Sequence, residues 1–390
     1  MTAIVGVLNK HAVAIAADSA VTLGGGRKVH NGANKLFSLS KHRPVAVAVY
    51  DNAEFVGTPW EIIIKKFRRE LADLPCASMY EYVDRFLNFV KGNNCFCIEK
   101  EALDCLKANI VLTAQHILGC FNNDRNLITD FLRNVESRIS FQFIDGFNED
   151  TVSYIHVNAD TELNQAADLL FQNSDGFDMN RIRSILEAIF TRNIQIRVPM
   201  AITSGLVFAG YGEDDMFPSL YHCEISNVIN GIPAIVLHKP SIITKESPSA
   251  ICPFAQTDVM TTILDGVAPQ IQNIYMDSLV QTFKIITTQL ASIIAPSNPA
   301  LADQVQRLNI EPFGRTFNTL NRQAQITKYT GPFVQSITGL EKEDLAEFAE
   351  SLITLTSLKR KVSPDQETVG GPVDVMVISK GDGIIWMKRK

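Results

Sequence analysis

The residues of this chain whose types and spacing suggest chemistry lie at its start. It opens Met1-Thr2-Ala3-Ile4-Val5-Gly6-Val7, followed by Ala16-Ala17-Asp18-Ser19 and then Asn34-Lys35. A small residue at position two permits removal of Met1, which leaves Thr2 with a free α-amine beside its own hydroxyl. With a pKa near ~8, that amine can act as general base toward the hydroxyl, so nucleophile and base come from one residue. Such a site needs no histidine, and no Ser/His/Asp set stands out. His11, His30 and His42 fall at no metal-ligand spacing, and no metal or cofactor is expected.

The elements that must position Thr2 are short and apolar. Residues 2–8 and 11–17 read as two β-branched strands joined at Asn9-Lys10, a hairpin. Gly24-Gly25-Gly26 is followed by Arg27-Lys28 and lacks the ending of a phosphate loop. Residues 36–40 and 45–50 read as further strands. Residues 53–71 read as a helix with Trp60, Ile63, Ile64, Phe67 and Leu71 on one face. Tyr80, Val83, Phe86, Leu87 and Val90 form another stripe, and 103–118 a further helix. Residues 139–147 and 151–157 read as a strand pair, and 163–170 and 182–190 as helices.

Strands return over 202–209, 220–226 and 234–238. Residues 259–294 read as one long helix broken near Pro269, and 296–322 as loop. Leu345, Phe348, Leu352 and Leu355 form a helical stripe. Gly370-Gly371, a strand over 373–379, a turn at Lys380-Gly381-Asp382-Gly383 and a strand over 384–387 complete the pattern. Strands come in hairpins, which favours antiparallel sheets over a doubly wound parallel one. Two sheets between two helical layers would bury the amphipathic helices on both sides.

Composition narrows the function classes. The chain has 390 residues, 46% of them hydrophobic, and a net charge of -6. That balance disfavours a nucleic-acid partner. Short basic clusters, Lys65-Lys66-Phe67-Arg68-Arg69 and Lys388-Arg389-Lys390, read as solvated faces or tails. Seven cysteines with no paired zinc spacing read as reduced, mostly buried thiols. No signal peptide or membrane-length apolar run is evident, so a cytoplasmic protein is expected.

These residues resemble the proteasome β-subunit branch of the N-terminal nucleophile (Ntn) hydrolases, and the related bacterial ATP-dependent ring protease subunit. Thr2-Ala3-Ile4-Val5 is similar to that family's opening strand, Ala16-Ala17-Asp18-Ser19 to its Asp turn, and Asn34-Lys35-Leu36 to its lysine segment. Val207–Tyr211 with Pro218–Tyr221 is similar to its central hairpin, and Thr368–Val375 to its Gly-Gly strand. The resemblance implies an α+β fold, a four-layer αββα sandwich of two antiparallel sheets in a single domain spanning 1–390. Residues about 90–200 and 297–335 would be insertions.

The resemblance also implies roles. Thr2 would attack an amide carbonyl, Lys35 would lower the effective pKa of hydroxyl and amine, and Asp18 would keep Lys35 charged and oriented. Backbone N–H groups at Tyr50 or Asp51 would form the oxyanion hole, where the family has glycine. Ser19, Thr257, Asp258, Asp365 and Gly370 would support the site; Val369 stands where a serine is expected. The implied activity is that of a threonine-type peptidase or small-amide hydrolase; the alternative is an inactive scaffold subunit. Expected partners are a peptide or small amide, further copies of the chain in a homo-oligomer or ring, and an ATPase if one delivers substrate.

Overall fold

The computed structural model describes residues 2–23, 28–30, 32–92, 98–194, 196, 198–363 and 369–390. Met1, Gly24–Arg27, Cys95, Cys97 and Asp365 lie outside them, so the readings placed there have no structural counterpart. The described residues are α+β, with several antiparallel sheets and many helices.

The first strands are β1 (Ala3–Asn9), β2 (Val13–Asp18), β3 (Val21–Leu23), β4 (Lys28–His30), β5 (Leu36–Ser38), β6 (Val45–Asp51), β7 (Glu54–Phe55) and β8 (Thr58–Pro59). Helices α1 (Trp60–Leu71), α2 (Met79–Gly92), α3 (Glu99–Cys120) and α4 (Arg125–Arg138) follow, then β9 (Ile139–Phe143). Next come α5 (Glu149–Asn158), α6 (Asp160–Phe171), α7 (Met179–Thr191) and β10 (Arg192–Ile194). Strands β11 (Ser204–Gly210), β12 (Ser219–Ile229), β13 (Ile232–Leu237), β14 (Ser241–Ile242) and β15 (Ser249–Ala255) form the middle of the chain. The remainder is α8 (Asp258–Asp265), α9 (Pro269–Ile294), α10 (Pro299–Gln306), α11 (Glu311–Gln325), α12 (Gly331–Ser336), α13 (Lys342–Val362), β16 (Val373–Ser379) and β17 (Gly383–Lys388).

One sheet has the order β15-β1-β2-β16-β17, the other β13-β12-β11-β6-β5 with β14 beside β12. Side chains alternate across each strand, and the alternation sorts the core. Ile4, Leu8, Val13, Ile15 and Met376 of the first sheet pack with Ala46, Ala48, Val207 and Ala209 of the second. The opposite face of the first sheet, with Ala3, Val5, Val7, Ala14 and Val375, packs on Met260 of α8 and on Leu345, Leu352 and Ile353 of α13. Val47, Val49, Phe208 and Cys223 of the second sheet pack on Trp60, Ile63 and Phe67 of α1 and on Tyr82 and Phe86 of α2. Both faces of β1 are therefore covered, which explains why it is apolar from Ala3 to Leu8 and buried along its whole length. Each such Val or Ile contributes about 1.5–3 kcal/mol.

Helices α3 to α7 form a further apolar cluster around Leu106, Ile110, Leu132, Leu163, Leu170, Ile182 and Ile189, seated on Ile229 and Ala234 of the second sheet. Among the described residues, no helix is long and apolar enough to cross a membrane.

Several local expectations are corrected. Residues 151–157 are helical, because Asn148 and Thr151 close a capping box that starts α5; β9 pairs instead with β10. Residues 296–322 hold α10 and α11, started by Asn298 as N-cap with Pro299 and by Pro312 near an N-terminus. The helix expected from residue 53 begins at Trp60, after the short β7–β8 hairpin. Tyr80 and Leu355 are exposed at 48% and 46%, and Tyr82 and Ile353 are buried in the faces those residues were expected to fill. Among the described cysteines Cys76 and Cys223 are buried, Cys105 and Cys252 half-buried, and Cys120 exposed, so burial is less complete than expected there. Lys390 is no solvated tail residue: its ammonium reaches Asp374 at 3.3 Å, and it bonds the Ala33 carbonyl.

Candidate functional site

The site is assembled at the ends of the first hairpin. Thr2 is 5% exposed and precedes β1 directly. Its carbonyl accepts from the Gln256 N–H at 3.2 Å, just past the β15 partner of β1. Asp18 closes β2, is 2% exposed, and is saturated with donors. Its Oδ1 accepts from the Ala3 N–H at 2.9 Å and from the Lys35 ammonium at 2.7 Å. Its Oδ2 accepts from the N–H groups of Ala20 and Gly370, each at 3.2 Å. A buried carboxylate is tolerable only with such compensation.

Lys35 comes from the other sheet, just before β5, where its carbonyl accepts from Val49 N–H. The Asp18–Lys35 pair thus ties the two sheets together. Lys35 also donates to the Ala20 carbonyl at 2.6 Å. Burial pulls its ammonium below the ordinary lysine value, while Asp18 opposes the shift. Because Ala3 and Lys35 share one carboxylate oxygen, the ammonium lies two hydrogen bonds from the Thr2–Ala3 peptide.

The other sequence-derived residues divide. Ser19 donates its hydroxyl to the Pro372 carbonyl at 2.7 Å, joining the hairpin to the start of β16. Gly370 belongs to the Asp18 cradle through its backbone. Asp258 is turned to Lys359 and Arg360 of α13, at 3.2 and 2.5 Å. Val369 is fully buried in the apolar cluster under α13. Asp51 takes a left-handed conformation, φ 62°, where β6 ends. Tyr50 is buried and lies across its register partner Gly205; a Cβ there would sit 2.0 Å from the Tyr50 Cζ. Its hydroxyl meets His222 Nε2 at 2.5 Å.

A cavity of about 550 Å³ opens beside this group. Tyr50, His222, His238, Phe254, Ala255 and Thr257 line it, with Ile144, Ile189 and Met200 opposite. Ala255 is the register partner of Ala3, so the cavity begins one residue from Thr2 along the ladder. The sequence reading missed Gly205, which the Tyr50 ring requires, and the polar wall around His222. The i, i+2 spacing of His222 and Glu224 on a strand was the available signal.

No family model matches this chain, and no curated protein matches it. Solved structures do match, among them "Anbu (ancestral beta-subunit)" from Yersinia bercovieri, at 10% identity, covering 100% of this chain and 88% of that one, with a TM-score of 0.37. The Anbu (Gly-1) mutant and Anbu from Hyphomicrobium sp. strain MC1 match at 10% and 9% identity, each covering 100% of this chain and 86% of the other, with TM-scores of 0.31. These comparisons correct the assignment to proteasome β-subunit-like Ntn hydrolases and the bacterial ring protease: the structures just named are Anbu proteins, and no family model supports either peptidase. Likeness at these TM-scores carries no argument about this chain's activity.

Proposed function

We propose that this chain hydrolyses amide bonds with Thr2 as the nucleophile once Met1 is removed. The observation that supports this most is the buried Asp18–Lys35 pair, whose carboxylate also holds the Ala3 N–H. That arrangement fixes the residue after Thr2 and keeps a cation close to the terminus. A buried cation there favours deprotonation of hydroxyl and amine.

In this reading the Thr2 Oγ–carbonyl bond forms while the hydroxyl proton passes to the Thr2 amine. The carbonyl–nitrogen bond then breaks, the leaving amine takes that proton, and an ester remains on Thr2. Water, deprotonated by the same amine, hydrolyses the ester and restores the hydroxyl. Backbone N–H groups around Tyr50 and Asp51, where the chain turns, would receive the oxyanion. The neighbouring cavity has room for a peptide segment or a small amide. The packing clusters support a single αββα domain, with residues about 90–200 and 297–335 as its elaborations. Homo-oligomerisation and a cytoplasmic setting belong to the same reading.

A second reading is an inactive subunit. It is favoured by Val369, which has no hydrogen-bonding side chain, and by Asp258, whose carboxylate is held by Lys359 and Arg360. One set of measurements separates the two. Hydrolysis requires an intact mass lacking Met1, labelling by an epoxyketone that bridges the Thr2 hydroxyl and amine, and loss of labelling in Thr2→Ala with unchanged circular dichroism. Retention of Met1 would leave the amine acylated and rule out the catalytic reading.

A further inference from the structure

We propose that His222, Glu224 and His238 form a binding site for a divalent ion of the Zn²⁺ class in the wall of the cavity. This goes beyond the Thr2 chemistry and stands whether or not Thr2 is a nucleophile. His222 and Glu224 are two apart on β12, on the face that Leu220 turns toward the other sheet. His238 follows β13, and its N–H bonds the His222 carbonyl at 2.9 Å, which places its ring beside that of His222. The two imidazoles stack, with centroids 4.5 Å apart and planes at 9°. His238 Nε2 lies 3.7 Å from Glu224 Oε2. One ligand atom from each residue falls within 4.8 Å of the others.

Two imidazole nitrogens and one carboxylate oxygen are the donor set that a borderline ion such as Zn²⁺ prefers, over the all-oxygen shells of Mg²⁺ or Ca²⁺. Bonds of about 2.0–2.2 Å put tetrahedral ligands roughly 3.3–3.6 Å apart. Closing on an ion therefore takes up about 1 Å between ligand atoms and turns one imidazole out of the stack, because each ring binds a metal in its own plane; the exposed His238 is free to make that turn with no strand movement. Ring position is supported from outside: the Tyr50 hydroxyl holds His222 Nε2 at 2.5 Å, and Phe254 packs on the same ring at 5.0 Å. Such outer hydrogen bonds are what orient ligating histidines. Three protein ligands leave a fourth position open to the cavity, where an anionic or carbonyl group of a bound molecule would coordinate.

The test is calorimetric titration of Zn²⁺ into the metal-stripped full chain, alongside His238→Ala and Glu224→Gln. The His238 side chain is 41% exposed and Glu224 is replaced by its isostere, so folding is expected to persist and circular dichroism checks it. Wild type should bind one Zn²⁺ per chain, and each variant should bind it at least about tenfold more weakly. Co²⁺ in its place should give the visible absorption of a low-coordinate nitrogen–oxygen site, lost in His238→Ala. Tyr50→Phe should weaken binding while leaving the Co²⁺ spectrum in kind. No Zn²⁺ binding by wild type, or equal binding by wild type and both variants, would overturn the proposal.

Discussion

Replacing Asp18 by asparagine tests the centre of the site most sharply. The carboxylate receives four donors, two on each oxygen: Ala3 N–H and the Lys35 ammonium on one, the N–H groups of Ala20 and Gly370 on the other. Asparagine has the same shape but only one acceptor oxygen. Whichever way the amide faces, its NH₂ confronts two donors, and the Lys35 ammonium loses its countercharge. Each buried donor left without an acceptor costs about 1–3 kcal/mol, and breaking one partner from a buried ion pair costs about 3–5 kcal/mol in all. The pair is 5% and 1% exposed in its side chains, so solvent screens little of this. Asp18→Asn should therefore lose about 4 kcal/mol, read from urea unfolding followed by the fluorescence of buried Trp60. Lys35→Met leaves Asp18 its three backbone donors and should cost less. The double variant should be more stable than the sum of the singles implies, by about 1–3 kcal/mol. A loss below about 1 kcal/mol for Asp18→Asn, or additivity within about 0.5 kcal/mol, would refute the reasoning.

Other outcomes follow from single features. Lys35 titrates below its ordinary value of 10.5 because burial disfavours its charge; between its folded and unfolded pKa the unfolded chain binds the extra proton, so this group makes stability rise with pH in that interval. The stability of wild type relative to Lys35→Met should thus increase as pH approaches 10.5 from below, and a flat difference in paired urea titrations would count against it. Gly205→Ala should cost about 1–3 kcal/mol, since the new Cβ displaces the Tyr50 ring; a thermal midpoint equal to wild type would contradict this. Asn148→Ala removes the acceptor for the Asp150 and Thr151 N–H groups and should cost about 1 kcal/mol, with the loss confined to hydrogen-exchange protection around α5.

Where sequence and structure agree, burial is two-sided or the helical stripe is strong. Strands β1, β2, β6 and β16 are mostly apolar because helices on one side and the facing sheet on the other cover them, and α1 shows its buried face at clean spacing. Strand β15 was invisible because Pro253 interrupts it; an edge strand tolerates a residue without an N–H. Residues 151–157 alternate like a strand, yet a local capping box decides for helix. Helices α10 and α11 are polar on most faces and bury little, so composition imitated a loop. Asp18 and Lys35 were legible by residue type, but the backbone donors around Asp18 were not. One of them comes from Gly370, which only the family resemblance, and no local pattern, connects to the first hairpin.

The order of the first sheet also has a consequence for synthesis. Gly370, whose N–H completes the Asp18 cradle, follows Asp18 by 352 positions, and β16 then pairs with β2. At ~5–20 residues per second, a ribosome takes on the order of tens of seconds to cover that distance. Throughout that interval β2 has no β16 neighbour, and an unpaired strand edge invites pairing with other chains. A nascent or truncated chain would thus carry Thr2, Asp18 and Lys35 without the finished cradle. The earliest-made residues of the site wait for the latest-made one, which delays any activity there until Gly370 and β16 have emerged.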